Sequence, residues 1–467
     1  MALLNYTGRD HTAEYERLIA LVKSLCPNWT DWNYSDFGSA IIAAQSSTTD
    51  GLNKNIDLAA NENFVNTALF RQTLINLGKS VGYLPTLMSA ASTKLRFTRK
   101  PGVTDAVTVP KWTPWGRSDG LEYLTIVDAV IPVGVNTIDI DALQGVLVEK
   151  ILNAADFAVT DMSGHPRYNL GSNVASGTLE MTHGDPAVTW TEPEECFAFS
   201  SATDRHFVLE LNGNDDTVWL TLGNGIRGTG PADTPMSVKF IRTAGAEGNA
   251  GSGVVTIVPD SLSALITCAN TDIATGGAAS ESTESIRNMI PRWARLGRNA
   301  VTVADYETLL EHLAGLLHVK AYDRQLSTAW PHEHVVLFIA PDGGGEMSSY
   351  LRTSVLDLCG RRGIYGRWSG RYVINNAVAK LVTMAVRIGV SDGYVPATVG
   401  AAAGAALEAL LAPELQPIEG RLRFADLHAA ASALPGLSWI EFDSPKTDIL
   451  AGVGEQLVSG GVVVTVQ

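Results

Sequence analysis

Apolar positions recur at helical spacing in three early stretches, then at strand spacing through a long middle region. Residues 12–25 place Tyr15, Leu18, Ile19, Val22 and Leu25 on one stripe, with Glu14, Glu16, Arg17 and Lys23 mostly off it. Pro27 ends that helix. After Trp29, Trp32 and Tyr34, Ser35 is placed to cap a second helical region carrying Phe37, Ile41, Leu52 and Ile56, weakened in its middle by the polar run 45–50. Phe64 follows, and Thr67 opens a third helix with Leu69, Phe70, Leu74, Leu77 and Val81, closed by Gly82 and Pro85. The three stripes either pack on one another or offer a face to a partner bundle, and spacing leaves both open. A fragment starting near Met88 is expected to fold by itself.

From about residue 89 to 275 the period shortens toward two, with β-branched runs at 137–140 and 254–258 and frequent Gly, Pro, Asn and Asp. Gly276 and Gly277 end this region. Ser282 and Glu284 then start a helix in which Pro291 predicts a kink or restart, and Thr302 with Asp305 forms a capping box for the next helix. Beyond it the chain echoes itself. Ala304 and Asp305 precede Leu313, Gly315, Leu316 and Val319; 121 residues later Ala425 and Asp426 precede Leu434, Gly436, Leu437 and Ile440. Both copies read as helix, glycine, strand, with Pro291 and Pro413 each closing an earlier helix. The fold class is therefore α+β, an elongated multidomain chain. Residues 1–88 form a helical region and 89–275 a β-rich one. Residues 276–390 hold helix, kink, helix and a first small α+β module, and 391–467 a second.

A chain of 467 residues, 45% hydrophobic and 18% charged, has material for substantial cores and more than one domain. The formal net charge of −15 argues against a nucleic-acid binder, since phosphate attraction is the main sequence-independent source of that affinity. Neither a signal-peptide pattern nor a run long enough to span a membrane occurs, so a cytoplasmic place of synthesis is expected. Cys26, Cys196, Cys268 and Cys359 are far apart and read as buried free thiols rather than a metal site or disulfide framework.

Candidate chemistry is thin. Gly223, Gly225 and Gly228 form a G-x-G-x-x-G string, but Gly230, Pro231 and Pro235 forbid the helix a dinucleotide site needs, so a hairpin turn before a strand at 236–243 fits better. His332 and His334 share a strand face without further ligands, and Asp342 with Gly343, Gly344 and Gly345 lacks the lysine of a phosphate loop. With 49 carboxylates a glycosidase pair can always be chosen by hand, and nothing singles one out; G-x-S-x-G does not occur. The expectation is no catalytic residue, metal or cofactor. Arg287, Arg295 and Arg298 fall within about 80° of one another on an unbroken helix. They form either a solvated face or one that docks on an acidic surface.

Gly276, Gly277, Glu281, Ser282, Glu284, Ile286, Arg287, Ile290, Pro291, Arg292, Arg298, Asn299, Ala300, Val301, Thr302, Asp305 and Tyr306 resemble the central signature of the baseplate J-like family. These are wedge proteins of contractile phage tails and related injection particles. The resemblance spans nearly the whole chain: Tyr6 to Asp10, Pro27 to Gly38 and Asn53 to Pro85 first, then Gly223 to Pro231, Gly245, Gly248 and Asn249. It ends with Gly393, Tyr394, Pro435, Gly436, Ser444, Pro445 and the final valine-rich strand. It implies a structural subunit of the tail baseplate, assembled in the host cytoplasm. Two copies per wedge would join into a ring around the hub and couple baseplate opening to sheath contraction. The helices would bundle with a second wedge protein and adjoin sheath-initiator and hub subunits. The candidate partner interface comprises Tyr15, Leu18, Ile19, Val22, Phe37, Ile41, Ile56, Phe64, Leu69 and Leu77, with Arg287, Arg295 and Arg298 on the basic face. The competing classes are a tail-associated polysaccharide hydrolase and a receptor-binding tail protein, the latter expected to show long repetitive β segments.

Overall fold

The computed structural model describes the chain except residues 1–3, 34–35, 162, 194–196, 298, 324–333, 365–370, 392 and 467. The fold is mixed α+β and multidomain. It divides into two compact units: one comprises Met1–Pro85, Leu211–Asp216 and Ser282–Ala294, the other the remainder.

The first unit is built on helices α1 (His11–Leu25), α2 (Phe37–Asn61), α3 (Arg71–Ser80) and α4 (Thr283–Leu296), the last contributing all but its final two residues. Asp10 caps α1 by accepting from Ala13 N at 2.9 Å. Asp36, not Ser35, caps α2, accepting from Gly38 N and Ser39 N; Ser35 lies outside the described residues. The opening segment runs antiparallel along α2. Leu4 N donates to Asn61 Oδ1 at 3.1 Å, Thr7 N to Asp57 Oδ1 at 2.8 Å, and Ser46 Oγ to His11 O at 2.7 Å. The polar run at 45–50 therefore does not interrupt α2: Ser46 docks α1, while Thr48 and Thr49 bond back to the carbonyls of Ala44 and Gln45.

Helix α3 starts at Arg71 rather than Thr67, because the Thr67 hydroxyl instead bonds Asn61 O at 2.6 Å and Glu62 takes the free amide of Leu69 at 2.6 Å. Leu74 and Ile75 are fully buried, and a Cβ on Gly78 would stand 2.9 Å from the Tyr83 ring and 3.5 Å from Ile290. Ile286, Met289, Ile290 and Trp293 of α4 are buried, with Trp293 edge-on to Tyr83 at 5.7 Å. No restart occurs at Pro291: α4 runs through it as one helix. Pro291 sits on the exposed side, where losing one ladder bond displaces no core residue. A fragment starting near Met88 would strip α4 of these apolar partners.

In the second unit, strands β1 (Ser92–Arg99), β3 (Pro114–Arg117), β4 (Glu122–Thr125), β6 (Thr137–Gln144), β15 (Val255–Ile257) and β16 (Ile266–Asn270) form a sheet ordered β15-β3-β4-β6-β1-β16. Strands β2 (Val107–Val109) and β5 (Ala129–Ile131) pair beside it. Alternation on β1 sends Leu95 and Phe97 inward to a core with Trp115, Tyr123, Ile131, Ile140 and Ile266. Strands β7 (Val146–Leu152), β10 (Glu180–His183), β11 (Val188–Thr189) and β14 (Met236–Arg242) form a second sheet ordered β11-β10-β14-β7. Strands β8 (Val159–Thr160), β9 (Pro166–Ser172), β12 (Phe207–Leu211) and β13 (Thr217–Leu222) form a third, ordered β12-β13-β9-β8. The G-x-G-x-x-G string is thus not a hairpin turn, since β13 and β14 belong to different sheets. It crosses between them, and a Cβ on Gly223 would overlap the backbone of Gly228.

Two α+β modules follow. The first has α5 (Val303–Glu311), β17 (Leu316–Tyr322), β18 (Val335–Pro341), α6 (Ser349–Arg362) and β19 (Tyr372–Asn376), with sheet order β17-β18-β19. The second has β20 (Val378–Val390), α7 (Pro396–Ala409), α8 (Phe424–Ser432), β22 (Leu437–Ser444) and β24 (Glu455–Val466), with sheet order β22-β20-β24. The ribbon of β21 (Arg421–Leu422) and β23 (Ile449–Leu450) completes it. The internal echo is structural. Both α5 and α8 pass through a positive-φ glycine, Gly315 at 91° and Gly436 at 85°, into β17 and β22. Each of those strands is the antiparallel neighbour of a central strand whose other neighbour is parallel. The chain order differs, the central strand following β17 but preceding β22.

The β region and the first module meet backbone to backbone around Gly276 and Gly277. Gly276 N donates to Asp342 O at 2.7 Å and Asp342 N to Gly315 O at 3.0 Å. Asn249 clasps Gly277 at both polar groups, its Nδ2 donating to the carbonyl and its Oδ1 accepting from the amide, each at 2.9 Å. A Cβ on Gly277 would overlap Gly245 O, and one on Gly315 would stand 2.7 Å from Gly276 O. Gly277→Ala is expected to cost about 2 to 4 kcal/mol in denaturant unfolding. Gly102→Ala, at a positive-φ turn with open space around it, is expected to cost about 1 kcal/mol.

Candidate interaction surface

Helix α2 turns Ser39, Ile42, Ser46 and Asn61 toward its own unit and leaves its opposite face open, with four large apolar side chains in two groups separated by the exposed Gln45 and Thr48. Phe37 is 79% exposed, Ile41 53%, Leu52 58% and Ile56 56%. At 100° per residue these four fall within an arc of about 100°, a stripe of the width that core-facing helices use. On α1, Leu21 and Leu25 are exposed and Leu18, Ile19 and Val22 half-buried. Phe64, Leu69 and Phe70 are exposed, and Leu77 is half-buried. Tyr15 departs from its assignment to the interface: it is buried within the unit and stacks on His11 at 6.3 Å.

Two features of this surface were not apparent from periodicity. Trp29 lies on Gly38, where a Cβ would overlap the indole, and Trp32 packs on Trp29 at 4.6 Å with the rings tilted by 33° and the Lys23 ammonium 5.0 Å from the Trp32 ring. Gly38, the second residue of α2, was the available signal. Glu14, on the polar side of α1, is buried and ion-paired to Arg17 at 2.8 Å and Arg9 at 3.4 Å, and the Arg17 hydrogen bond holds its carboxyl below the ordinary range.

The basic face does not form as expected. Arg287 donates Nη1 to Val65 O at 3.0 Å and Ala68 O at 2.8 Å, clasping the turn between α2 and α3. It is neither solvated nor offered outward. Arg295 is exposed, and Arg298 lies outside the described residues. Burial disfavours the Asp305 carboxylate, but hydrogen bonds from Thr302 and Val301, helped by the Arg295 charge, hold it below its ordinary range. Arg287→Met is expected to cost about 2 to 3 kcal/mol by leaving two carbonyls unpaired. Arg295→Ala should stay within about 0.5 kcal/mol of wild type in the same denaturation experiment.

Of the other candidates, His332 and Glu333 lie outside the described residues, and among the described residues no group of three His, Cys, Asp or Glu is placed to hold a metal. Cys268 and Cys359 are buried free thiols; Cys26 is exposed, and Cys196 is outside the described residues. Among the described residues no helix is long and apolar enough to cross a membrane. Gly343, Gly344 and Gly345 all take positive φ in a turn packed on Asn249 and Ile273. Beside them burial, and then the Glu414 charge, raise the Asp342 carboxyl to about 6. An acid raised on folding stabilises fully below its unfolded value and loses that contribution as pH rises through about 6. Asp342→Asn should therefore add about 1 to 2 kcal/mol at pH 7.5 and little at pH 4, read by unfolding at both pH values.

No protein-family model and no curated protein matches the chain. Among solved structures it is similar to a chain of the anti-feeding prophage baseplate, determined by cryo-EM with 6-fold symmetrisation. The TM-score is 0.34 and the identity 14%, over 95% of this chain and 90% of that one.

Proposed function

We propose that the chain is a structural component of the baseplate of a contractile tail or injection particle, and within it a wedge subunit that works without catalysis. Two lines support this reading. The family-like segments occur in order along nearly the whole chain. The observation that carries it is physical: α2 presents Phe37, Ile41, Leu52 and Ile56 outward along a single stripe. Burying such side chains contributes about 1.5 to 3 kcal/mol each before ordering costs, enough for a helix of another subunit to hold this face. That subunit would be a second, different wedge protein bundled against α1 and α2. Further copies of this chain would complete the ring around the hub, next to the sheath initiator, so that the ring couples baseplate opening to contraction.

The test is co-purification with the other wedge proteins of full-length chain carrying Phe37→Asp and Ile56→Asp. Both sites are exposed, so circular dichroism and the unfolding midpoint should stay at wild-type values while recovery in the complex falls at least about tenfold. Undiminished recovery would contradict the reading. Release of sugars from cell-wall or capsular polysaccharide, abolished by changing one carboxylate, would replace it with the hydrolase.

A further inference from the structure

Three buried polar atoms without a hydrogen-bond partner among the described residues stand together on the sheet of β12, β13, β9 and β8: His165 Nε2, Arg167 Nε and Thr221 Oγ1. Thr221 of β13 pairs directly with Arg167 of β9, so the two side chains leave the same face about 5 Å apart at Cβ. His165, two residues before Arg167, falls on that face by alternation. His165 is 8% exposed and Thr221 1%. Buried polar groups in folded proteins are nearly all hydrogen-bonded, so three in neighbouring register positions call for one shared partner.

Each of the three has a defined hydrogen-bonding character. Asp161 Oδ1 accepts from Ser163 N and His165 N, each at 2.8 Å, and Asp161 Oδ2 lies 3.3 Å from His165 Nδ1. Nδ1 therefore carries the ring hydrogen, and Nε2 on the far side of the ring is an acceptor. Phe197 lies flat on the imidazole at 4.7 Å and fixes its plane. Arg167 Nε is a donor. Its guanidinium sits 4.6 Å from the Trp219 ring centre, and among the described residues no carboxylate pairs with it. The Thr221 hydroxyl supplies a second donor. Two donors, one of them cationic, thus stand beside one acceptor.

We propose that His165, Arg167 and Thr221 form a site for inorganic phosphate in its monohydrogen form, which ties β9 to β13 beneath Phe197. Its oxygens accept from Arg167 Nε and the Thr221 hydroxyl, and its own O–H donates to His165 Nε2. Water would leave the guanidinium charge unneutralised, and sulfate has no hydrogen for Nε2. Hydrogen bonds about 2.8 Å long on different oxygens of one anion span side chains rooted about 5 Å apart across the strands and about 7 Å apart along β9. Arg167 and Trp219, both half-buried, form the side open to solvent. The cover is held in place, Gly228 N donating to Ser201 O at 3.0 Å and Thr229 N to Asp204 O at 2.8 Å. A Cβ on Gly228 would stand 3.2 Å from the Phe197 ring, so the last glycine of the 223–228 string lets Phe197 stay on His165.

Calorimetric titration of inorganic phosphate into the full-length chain, in chloride of matched ionic strength, reads the site without any other subunit, and so independently of the baseplate reading. One phosphate per chain is expected, with Kd about 1 mM or below. Thr221→Val and Arg167→Met should each weaken it at least about tenfold, and sulfate should bind at least about tenfold more weakly than phosphate. Thr221→Val removes a hydroxyl that has no other partner, so its thermal midpoint in chloride should equal or exceed that of wild type, which separates lost binding from lost folding. Should Arg167→Met fail to fold, Thr221→Val still decides the matter. Absence of saturable phosphate binding, binding indifferent to both substitutions as for an adventitious ion only, or sulfate bound as tightly as phosphate overturns the proposal.

Discussion

The second unit depends on backbones that approach too closely for any side chain. At Gly276 and Gly277 the chain leaves the β region, and its amides and carbonyls are taken by Asp342 and Asn249 rather than by a neighbouring strand. Gly315, which ends α5, stands against the carbonyl of Gly276, and Gly245 stands against that of Ala278. Glycines from distant parts of the sequence thus remove the volume that would keep the β sheets and the first module apart. Each close approach satisfies polar backbone groups that burial would otherwise leave unpaired.

Much of this architecture was legible because it follows from local chemistry. The apolar stripes of α1 and α2, the Thr302–Asp305 capping box and the Gly315 and Gly436 junctions each declare themselves within a few residues, and they stand where periodicity and capping put them. What escaped depends on partners distant in sequence. Pro291 signals a break, yet α4 continues past it, with Ile290 and Trp293 held against α3 and Tyr83. Arg287 belongs to a basic cluster by spacing, but two carbonyls more than 200 residues earlier claim it. The glycine string at 223–228 marks close backbone contact, and only pairing in three dimensions distinguishes a sheet crossing from a hairpin.

The candidate surface was legible for a different reason. Phe37, Ile41 and Ile56 are too apolar for solvent and too regular for a loop, and α2 satisfies its own unit with Ser39, Ile42, Ser46 and Asn61 on the opposite face. Tyr15 shows the limit of the inference, since a helical stripe does not say which of its members the chain covers itself. The Ser46 hydroxyl of α2, bonded to His11 O, ties α1 to α2 while Leu21 and Leu25 stay outward.

That outward face is where the proposed role stands or falls. A cryo-EM reconstruction of the assembled particle containing this chain would test it most directly. Phe37, Ile41, Leu52 and Ile56 should lie in van der Waals contact, about 4 Å, with a helix of a different subunit. A reconstruction in which that stripe faces solvent in every copy of the chain would contradict its assignment as a wedge subunit.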